Sequence, residues 1–370
     1  MSVYYMREKM ERIYQLDGLR FVMIFIIFMG HCFSHFLCNY SYGWMKTFFS
    51  TGFAVDYFFI LSGFGIYLNN YNKQVDYTNI NLIFSLKYAI NKIRKIYPVY
   101  VFSMLLYAPF QFSRYFMIIF LISLTLLQSL AFNGSIFHGI NGVSWFLSSL
   151  FVAYIFCPYF YKIGSSKKIS FLLTIDLLAI WIISYITFAY TDVGFPVYKN
   201  VMFTLGQMAP FIPSCFDVLF GMLMARIYIK YKDTSFKNIY AYVVTAVCVC
   251  FQLFMGEAIK VLGYTVLSVP TIILCGCFIL TISLNTENTI AKIFKTNTML
   301  TLGKYTMYIF LLHYPALFVA EKIFEYYDIY YGDITGVIEL LCVVVLTYLL
   351  IKVYLMMEAF IIIVKNKRLA

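Results

Sequence analysis

Eleven apolar stretches of crossing or near-crossing length recur along this chain, and a helix needs about 20 such residues to span a bilayer. They lie at roughly 20–38, 48–68, 96–110, 114–132, 144–161, 169–190, 207–229, 239–255, 264–284, 300–320 and 336–358. Charge is too scarce to interrupt them. Of 370 residues, 62% are hydrophobic and 12% charged, against about 25% charged in an ordinary globular domain. A soluble fold could not hide that apolar surface, and the same figures exclude disorder, a disulfide-stapled scaffold and a collagen-like fibre. The nine cysteines fall almost wholly inside apolar stretches and form no Cys-x-x-Cys pair. They read as small buried hydrophobes, and no metal site is expected.

The net charge of +11 divides along the chain in the way basic loops on the cytoplasmic side of a membrane do. No basic run is interleaved with exposed aromatics on a soluble segment, so nucleic acid is not an expected partner. Clusters at Lys92, Arg94 and Lys95, at Lys162, Lys167 and Lys168, at Arg226, Lys230, Lys232 and Lys237, at Lys292 and Lys295, and at Lys365, Lys367 and Arg368 mark successive inner loops. The charged segment Arg7, Glu8, Lys9, Glu11 and Arg12 before the first span, with no small-residue cleavage site, reads as a retained inner segment. Alternation of these clusters allows one net crossing between Lys95 and Ser144, where two apolar segments stand. One of 96–110 and 114–132 is therefore expected to be re-entrant or interfacial, shielded by protein or lining a cavity. The expected fold is all-α: a polytopic transmembrane helical bundle of about ten crossings plus that segment, both termini cytoplasmic, in a cell membrane. A single domain is expected over 1–370, with 1–15 and 359–370 as cytoplasmic segments and no appended soluble domain.

Ionisable groups within spans are expensive and mark function by default. Arg20 and His31 are 11 residues apart, about 20° from alignment on a helix and about 16 Å in rise. They share one face, with Arg20 at the inner end and His31 near mid-membrane; His35 follows one turn on. A lone intramembrane histidine is as readily explained by a hydrogen bond to a neighbouring helix. An arginine on the same stripe points instead to a polar channel from the cytoplasm, with His31 suited to general-base work. Asp56 could orient a histidine, bind a hydroxyl or cap its helix. Lys304 reads as a snorkelling residue and His313 as a structural hydrogen bonder; Asp217 is a further embedded carboxylate, and Asp176 carries no supporting pattern. Lys92 and Lys95, at i, i+3 before Pro98, would aim two ammonium groups at one anion.

Several blocks in order resemble the integral-membrane acyltransferase-3 family. Leu16-Asp17-Gly18-Leu19-Arg20 followed by His31 resembles its opening, and Val55-Asp56-Tyr57-Phe58-Phe59-Ile60-Leu61-Ser62-Gly63-Phe64 is similar to its Phe-Phe-x-Leu-Ser-Gly-Phe signature. Lys92-Ile93-Arg94-Lys95-Ile96-Tyr97-Pro98-Val99-Tyr100 is similar to Arg-x-x-Arg-(Ile/Leu)-x-Pro-x-Tyr, and Trp145-Phe146-Leu147-Ser148 with Pro158 to a Trp-x-Leu-Ser block. Gly221-Met222-Leu223 and Leu302-Gly303-Lys304-Tyr305-Thr306-Met307-Tyr308, through His313 and Pro315, resemble the later blocks. Two departures stand out: lysines occupy the paired arginine positions, losing bidentate phosphate recognition, and Leu150 stands where a Glu often follows.

The resemblance implies transfer of an acetyl or other acyl group from cytoplasmic acetyl-CoA to a hydroxyl of a cell-surface or lipid-linked glycan. Lys92, Lys95, Arg94 and Arg20 would hold the donor's phosphates. His31, with Arg20 and Asp56 in the catalytic set, would act as base or as acyl carrier. Trp145, Ser148 and the loop carrying His138 would face the acceptor, although Trp145 fits an interfacial anchor equally. The rival readings are a glycan-lipid flippase or transporter, and a glycan polymerase. A transporter would often show repeats and broken helices in matching halves, whereas the polar residues here concentrate in the first third.

Overall fold

A computed structural model describes residues 11–73, 77, 79–110, 115–131, 134–192, 211–262 and 264–369. Among these the chain is helical, with short 3-10 turns and no strand. The helices are α1 (Tyr14–His35), α2 (Gly52–Lys73), α3 (Leu82–Ile93), α4 (Tyr97–Tyr107), α5 (Phe116–Leu124), the one-turn α6 (Gly134–Phe137), α7 (Trp145–Ser166), α8 (Ile169–Asp192), α9 (Phe211–Tyr231), α10 (Asn238–Leu262), α11 (Tyr264–Leu284), α12 (Thr289–Phe294), α13 (Asn297–Lys304), α14 (Thr306–Tyr326) and α15 (Asp333–Leu369).

Eight helical segments among the described residues are long and apolar enough to cross a membrane. Two more apolar segments, Tyr97–Phe110 and Ile169–Ser184, are shorter. Arg7, Glu8 and Lys9 lie outside the described residues, as does the loop expected at 191–206 beyond Asp192. At the other end, α15 continues as helix to Leu369, into the tail expected at 359–370. Its 37 residues rise about 55 Å, well beyond the hydrocarbon thickness.

Lipid offers no hydrophobic reward for bringing helices together, so close association depends on small residues that let backbones meet. The tightest seam joins α2 to α9. A methyl group on Gly63 would collide with the Val218 carbonyl, and one on Gly221 with the Ile60 carbonyl. A second seam joins α1 to the α12–α13 elbow: Gly18 lies on the Phe294 carbonyl and Gly303 on that of Asp17. The two seams fix the rotation of α1 and α2 about their axes, and so decide which of their polar residues meet which partners. At the far end of α1, the Ser41 amide donates to the Asp333 carboxylate at 2.9 Å and the Tyr42 hydroxyl to the Asp333 carbonyl at 2.9 Å, tying that end to the start of α15.

Between α4 and α7 the chain leaves regular helix. Neither α4, with 11 residues, nor α5, with nine, reaches crossing length. Pro98 sits in the first turn of α4, where its missing N–H costs nothing. The end of α5 returns to the start of α4, and side chains there close the open carbonyls. The Tyr97 hydroxyl donates to the Leu124 carbonyl at 2.8 Å, and that of Tyr100 to the Ser123 carbonyl at 2.7 Å. Leu126 adopts φ 57°, a left-handed conformation that costs a branched residue about 1–3 kcal/mol; its carbonyl accepts the Ser148 hydroxyl at 2.8 Å.

The α2–α9 seam makes a direct prediction. Gly63→Ala is expected to destabilise the protein by about 1–3 kcal/mol through overpacking. Gly65→Ala, where an added methyl meets nothing within 4 Å, should be neutral or gain up to about 1 kcal/mol in helix propensity. Thermal unfolding of the two variants in detergent checks the contrast.

Candidate active site

The stripe expected on α1 is present, and each of its members meets a partner on another element or on its own first turn. Arg20 donates to Asp17, one turn before it, at 3.0 Å, and Arg12 reaches the other Asp17 oxygen at 2.8 Å. A single carboxylate thus holds two guanidinium groups at one end of α1. Two cavities flank this cluster. One, of about 330 Å³, is lined by Arg12, Asp17, Arg20, Asn297 and Lys304 among others. The second, of about 370 Å³, shares Arg12, Asp17 and Arg20 and runs along α2 past Gly65, Asn69 and Asn72. Both lie near the lower limit of small-molecule sites. Three cations against one carboxylate make the first attractive to anions.

His31, three turns along α1, is half-buried. Its ring centroid lies 5.3 Å from that of His313 and 5.6 Å from that of Tyr314, both on α14. His35 pairs with Glu321 of α14 at 3.1 Å and also packs on Tyr314, at 5.5 Å between centroids. One helix face therefore links a cationic end, a central pair of imidazoles and a carboxylate–imidazole pair at the far end.

His313 and Tyr314 directly precede a proline inside the continuous helix α14. Pro315 lacks an N–H, which leaves the Leu311 carbonyl without its normal donor. Asn141, in the loop before α7, fills the gap: its amide donates to the Leu311 carbonyl at 2.9 Å and to the Ser103 hydroxyl of α4 at 3.1 Å. The adjoining Gly142 backs onto Tyr314, where an added methyl would come within 2.9 Å of the hydroxyl. His313 itself is fully buried. The break that Pro315 opens is thus sealed by the irregular segment that Tyr97, Tyr100 and Ser148 support.

The remaining expected site residues fall into place differently. Asp56 is not brought to His31, whose electrostatic neighbours are His313 and His35. Asp56, Ile60 and Gly63 lie at i, i+4 and i+7, so the seam that seats Gly63 turns Asp56 toward α9. There it neighbours Asp217, itself close to Asp176 of α8. Ser148 is fully buried, and its hydroxyl binds the Leu126 carbonyl, the Ser129 hydroxyl at 2.8 Å and the Ser129 amide at 2.9 Å. It braces the irregular segment, leaving its hydroxyl committed rather than presented to an acceptor. Trp145 opens α7 half-buried, its ring 5.6 Å from Phe137. Its neighbour Phe146 packs on Phe59 at 4.4 Å and on Phe310 at 5.2 Å, one turn before His313. His138 is exposed in the preceding loop.

The basic trio is also rearranged. Helix α3 ends at Ile93, so Lys92 and Lys95 do not continue one helical face. Lys92 is half-buried with its ammonium 5.1 Å from the centroid of the Tyr88 ring, while Arg94 and Lys95 are exposed. None of the three lines the cavities beside Arg20. Arg12 and Lys304 do, and sequence reasoning passed over both because each lies near a span end, where a basic residue needs no special explanation. His313 was likewise read as structural; the signal that could have raised it is Pro315 two residues later, which frees a carbonyl beside it.

The family model described as an acyltransferase domain matches residues 13–356. The chain belongs to the acyltransferase-3 family and is a multi-pass membrane acyltransferase. No curated protein and no solved structure matches it.

Burial pushes the Lys92 ammonium below the ordinary lysine range, and the like charge of Lys73 adds to this, against an opposing contribution from Cys157. The folded chain therefore holds this proton less tightly than the unfolded chain, a penalty that is full below the folded pKa and fades as pH rises through the unfolded value. Lys92→Met is expected to raise the thermal midpoint near neutral pH, with the gain shrinking toward alkaline pH. A gain independent of pH, read by thermal unfolding across that range, would contradict the burial argument.

Proposed function

We propose that the protein transfers an acetyl or other short acyl group from cytoplasmic acyl-CoA to a hydroxyl of a cell-surface or lipid-linked glycan. The observation that carries this reading is the α1 stripe: a cationic, cavity-flanked end at Arg20 and an imidazole pair about 16 Å of helix rise away, in a chain of the acyltransferase-3 family. The phosphates of the donor suit Arg12, Arg20 and Lys304, with Arg94 and Lys95 as outlying charges that raise its local concentration. Lys92, whose like-charged neighbour Lys73 follows directly on the cavity-lining Asn72, stands behind them. The pantetheine arm is long and narrow enough to carry the thioester from that end toward His31.

His31 takes the proton of the acceptor hydroxyl as its oxygen attacks the thioester carbonyl carbon. The carbon–sulfur bond breaks and the proton passes from the imidazolium to the departing thiolate sulfur. In the alternative route, neutral His31 attacks the thioester carbonyl carbon first and the carbon–sulfur bond breaks to release the thiolate; the acceptor hydroxyl then attacks the acyl-imidazolium, the carbon–nitrogen bond breaks to return neutral His31, and the hydroxyl proton goes to the thiolate. At the far end the His35 and Tyr107 rings pack on Tyr314, with Glu321 bound to His35 and Phe318 packed on Tyr107, so hydrogen-bonding groups and aromatic faces lie together. That combination suits a sugar ring, and Trp145 is proposed for the same acceptor side.

The test is acyl transfer from labelled acetyl-CoA by the purified protein in proteoliposomes containing membrane glycolipid from cells that carry it. His31→Ala is expected to lose about 100- to 10,000-fold in rate. Arg20→Ala with Lys304→Ala should raise the KM for acetyl-CoA by about 100-fold or more, each of the two charge-assisted phosphate contacts contributing about 1.5–3 kcal/mol, whereas Lys95→Ala changes it less than threefold. Unaltered transfer by His31→Ala would remove the catalytic assignment, and an unaltered KM in the double variant would remove the donor site from Arg20.

A further inference from the structure

His313 presents an atom that the fold leaves unexplained. Its Nδ1 lies 2.9 Å from the Ile309 carbonyl oxygen and 2.9 Å from that of Phe310. Carbonyl oxygens only accept, so Nδ1 carries the hydrogen. In the neutral ring this leaves Nε2 with a lone pair and no hydrogen. That Nε2 is buried with no hydrogen-bond partner. An unpaired buried acceptor costs about 1–3 kcal/mol, a cost that an apolar residue of similar size would avoid. The two backbone contacts account for Nδ1 alone, and a purely structural role leaves the other nitrogen idle.

The rings around His313 narrow the choice of partner. Phe28 lies at 5.7 Å, Phe310 at 6.4 Å, Tyr314 at 6.3 Å and His31 at 5.3 Å between centroids. The two phenylalanines have no N–H or O–H to give. The Tyr314 hydroxyl is turned toward Gly142, and the imidazole of His35 is engaged by Glu321. His31 is nearest and carries a ring N–H. It is half-buried, so part of its surface is left uncovered.

Resting on the proposed acyl transfer, we infer that His313 is a positioning residue for His31: its Nε2 accepts the N–H of His31 and so fixes which His31 nitrogen faces the substrates. With one nitrogen donating to His313, the other must present a lone pair, the tautomer a general base needs. The acceptor hydroxyl gives its proton to that free nitrogen as its oxygen bonds to the acyl carbon. The N–H toward His313 stays in place and strengthens while His31 is cationic, because an ionised donor bonds more tightly. When the carbon–sulfur bond breaks, the same free nitrogen returns the proton to the thiolate. His313 neither gains nor loses a proton over the cycle. The arrangement repeats the second-layer logic by which a partner on one imidazole nitrogen sets the chemistry of the other, here with an imidazole in place of a carboxylate in a region where a second charge would be costly.

Two substitutions separate the nitrogens. Asn at 313 can keep the donor toward Ile309 and Phe310 but offers nothing at Nε2. Gln can place its amide oxygen where Nε2 was, keeping the acceptor. In the proteoliposome assay His313→Asn is expected to lower kcat about 100-fold with the KM for acetyl-CoA unchanged, and His313→Gln to restore at least tenfold of that loss. The reverse order, or wild-type kcat in both, would overturn the assignment. Nitrogen-15 NMR of histidine-labelled protein in lipid nanodiscs provides a measurement that needs no turnover. The His313 Nε2 resonance should move when His31 is replaced by Phe, and an unmoved resonance would overturn the pairing even if both position-313 variants misfold. Wild-type protein that transfers no acyl group from acetyl-CoA would defeat the proposed function, while the NMR comparison would still decide the pairing.

Discussion

Hydrocarbon cannot hydrogen-bond a peptide group, so each departure from regular helix at membrane depth has to be closed by a side chain. This constraint organises the centre of the molecule. The segment between α4 and α7 is irregular, and Tyr97, Tyr100 and Ser148 close the carbonyls of Leu124, Ser123 and Leu126. Pro315 opens a further carbonyl in α14, which Asn141 of that same segment closes. The irregular chain and the proline-containing helix are therefore joined by this bond. Their junction falls beside His313 and Tyr314, which flank His31. A site assembled this way is rigid because loosening any one of these bonds exposes a backbone group to lipid.

The two glycine seams supply the orientation that hydrogen bonding alone does not. Gly18 and Gly303 bring α1 onto the α12–α13 elbow with Arg20 beside Lys304, and Gly63 with Gly221 turns α2 so that Asp56 faces Asp217. An apolar bundle has no other means of choosing among helix rotations, since lipid and neighbouring helix are almost equally good solvents for leucine. Function follows from that choice: anion-attracting groups gather at one end of α1, and imidazoles collect at its centre.

Much of this was legible in the chain. The lengths of the apolar runs indicated a helical bundle, the scarcity of charge made Arg20 and His31 conspicuous, and charge alternation located the irregular region near residues 96–132. The six blocks pointed to the family that the domain match shows. What could not be read were pairings set by helix rotation and by helix ends. Lys92 and Lys95 are three residues apart, yet α3 stops at Ile93 between them. Asp56 lies in a strong motif, yet the seam at Gly63 turns it away from the histidines. Ser148 belongs to another motif, and its hydroxyl is spent on the Leu126 carbonyl, a contact whose need arises from a left-handed residue that no pattern announces. His313 stayed hidden because the imidazole beside it, His31, lies on a helix nearly three hundred residues earlier in the chain.

The central claim is that one face of α1 carries the acyl donor from the Arg20 end to the His31–His313 pair. The most direct measurement is an experimental structure of the protein in nanodiscs with a non-hydrolysable thioether analogue of acetyl-CoA. The phosphates are expected among Arg12, Arg20 and Lys304, with the analogue's terminal carbonyl beside His31. An analogue seated on Lys92 and Lys95, or one whose acyl end lies away from His31, would contradict it.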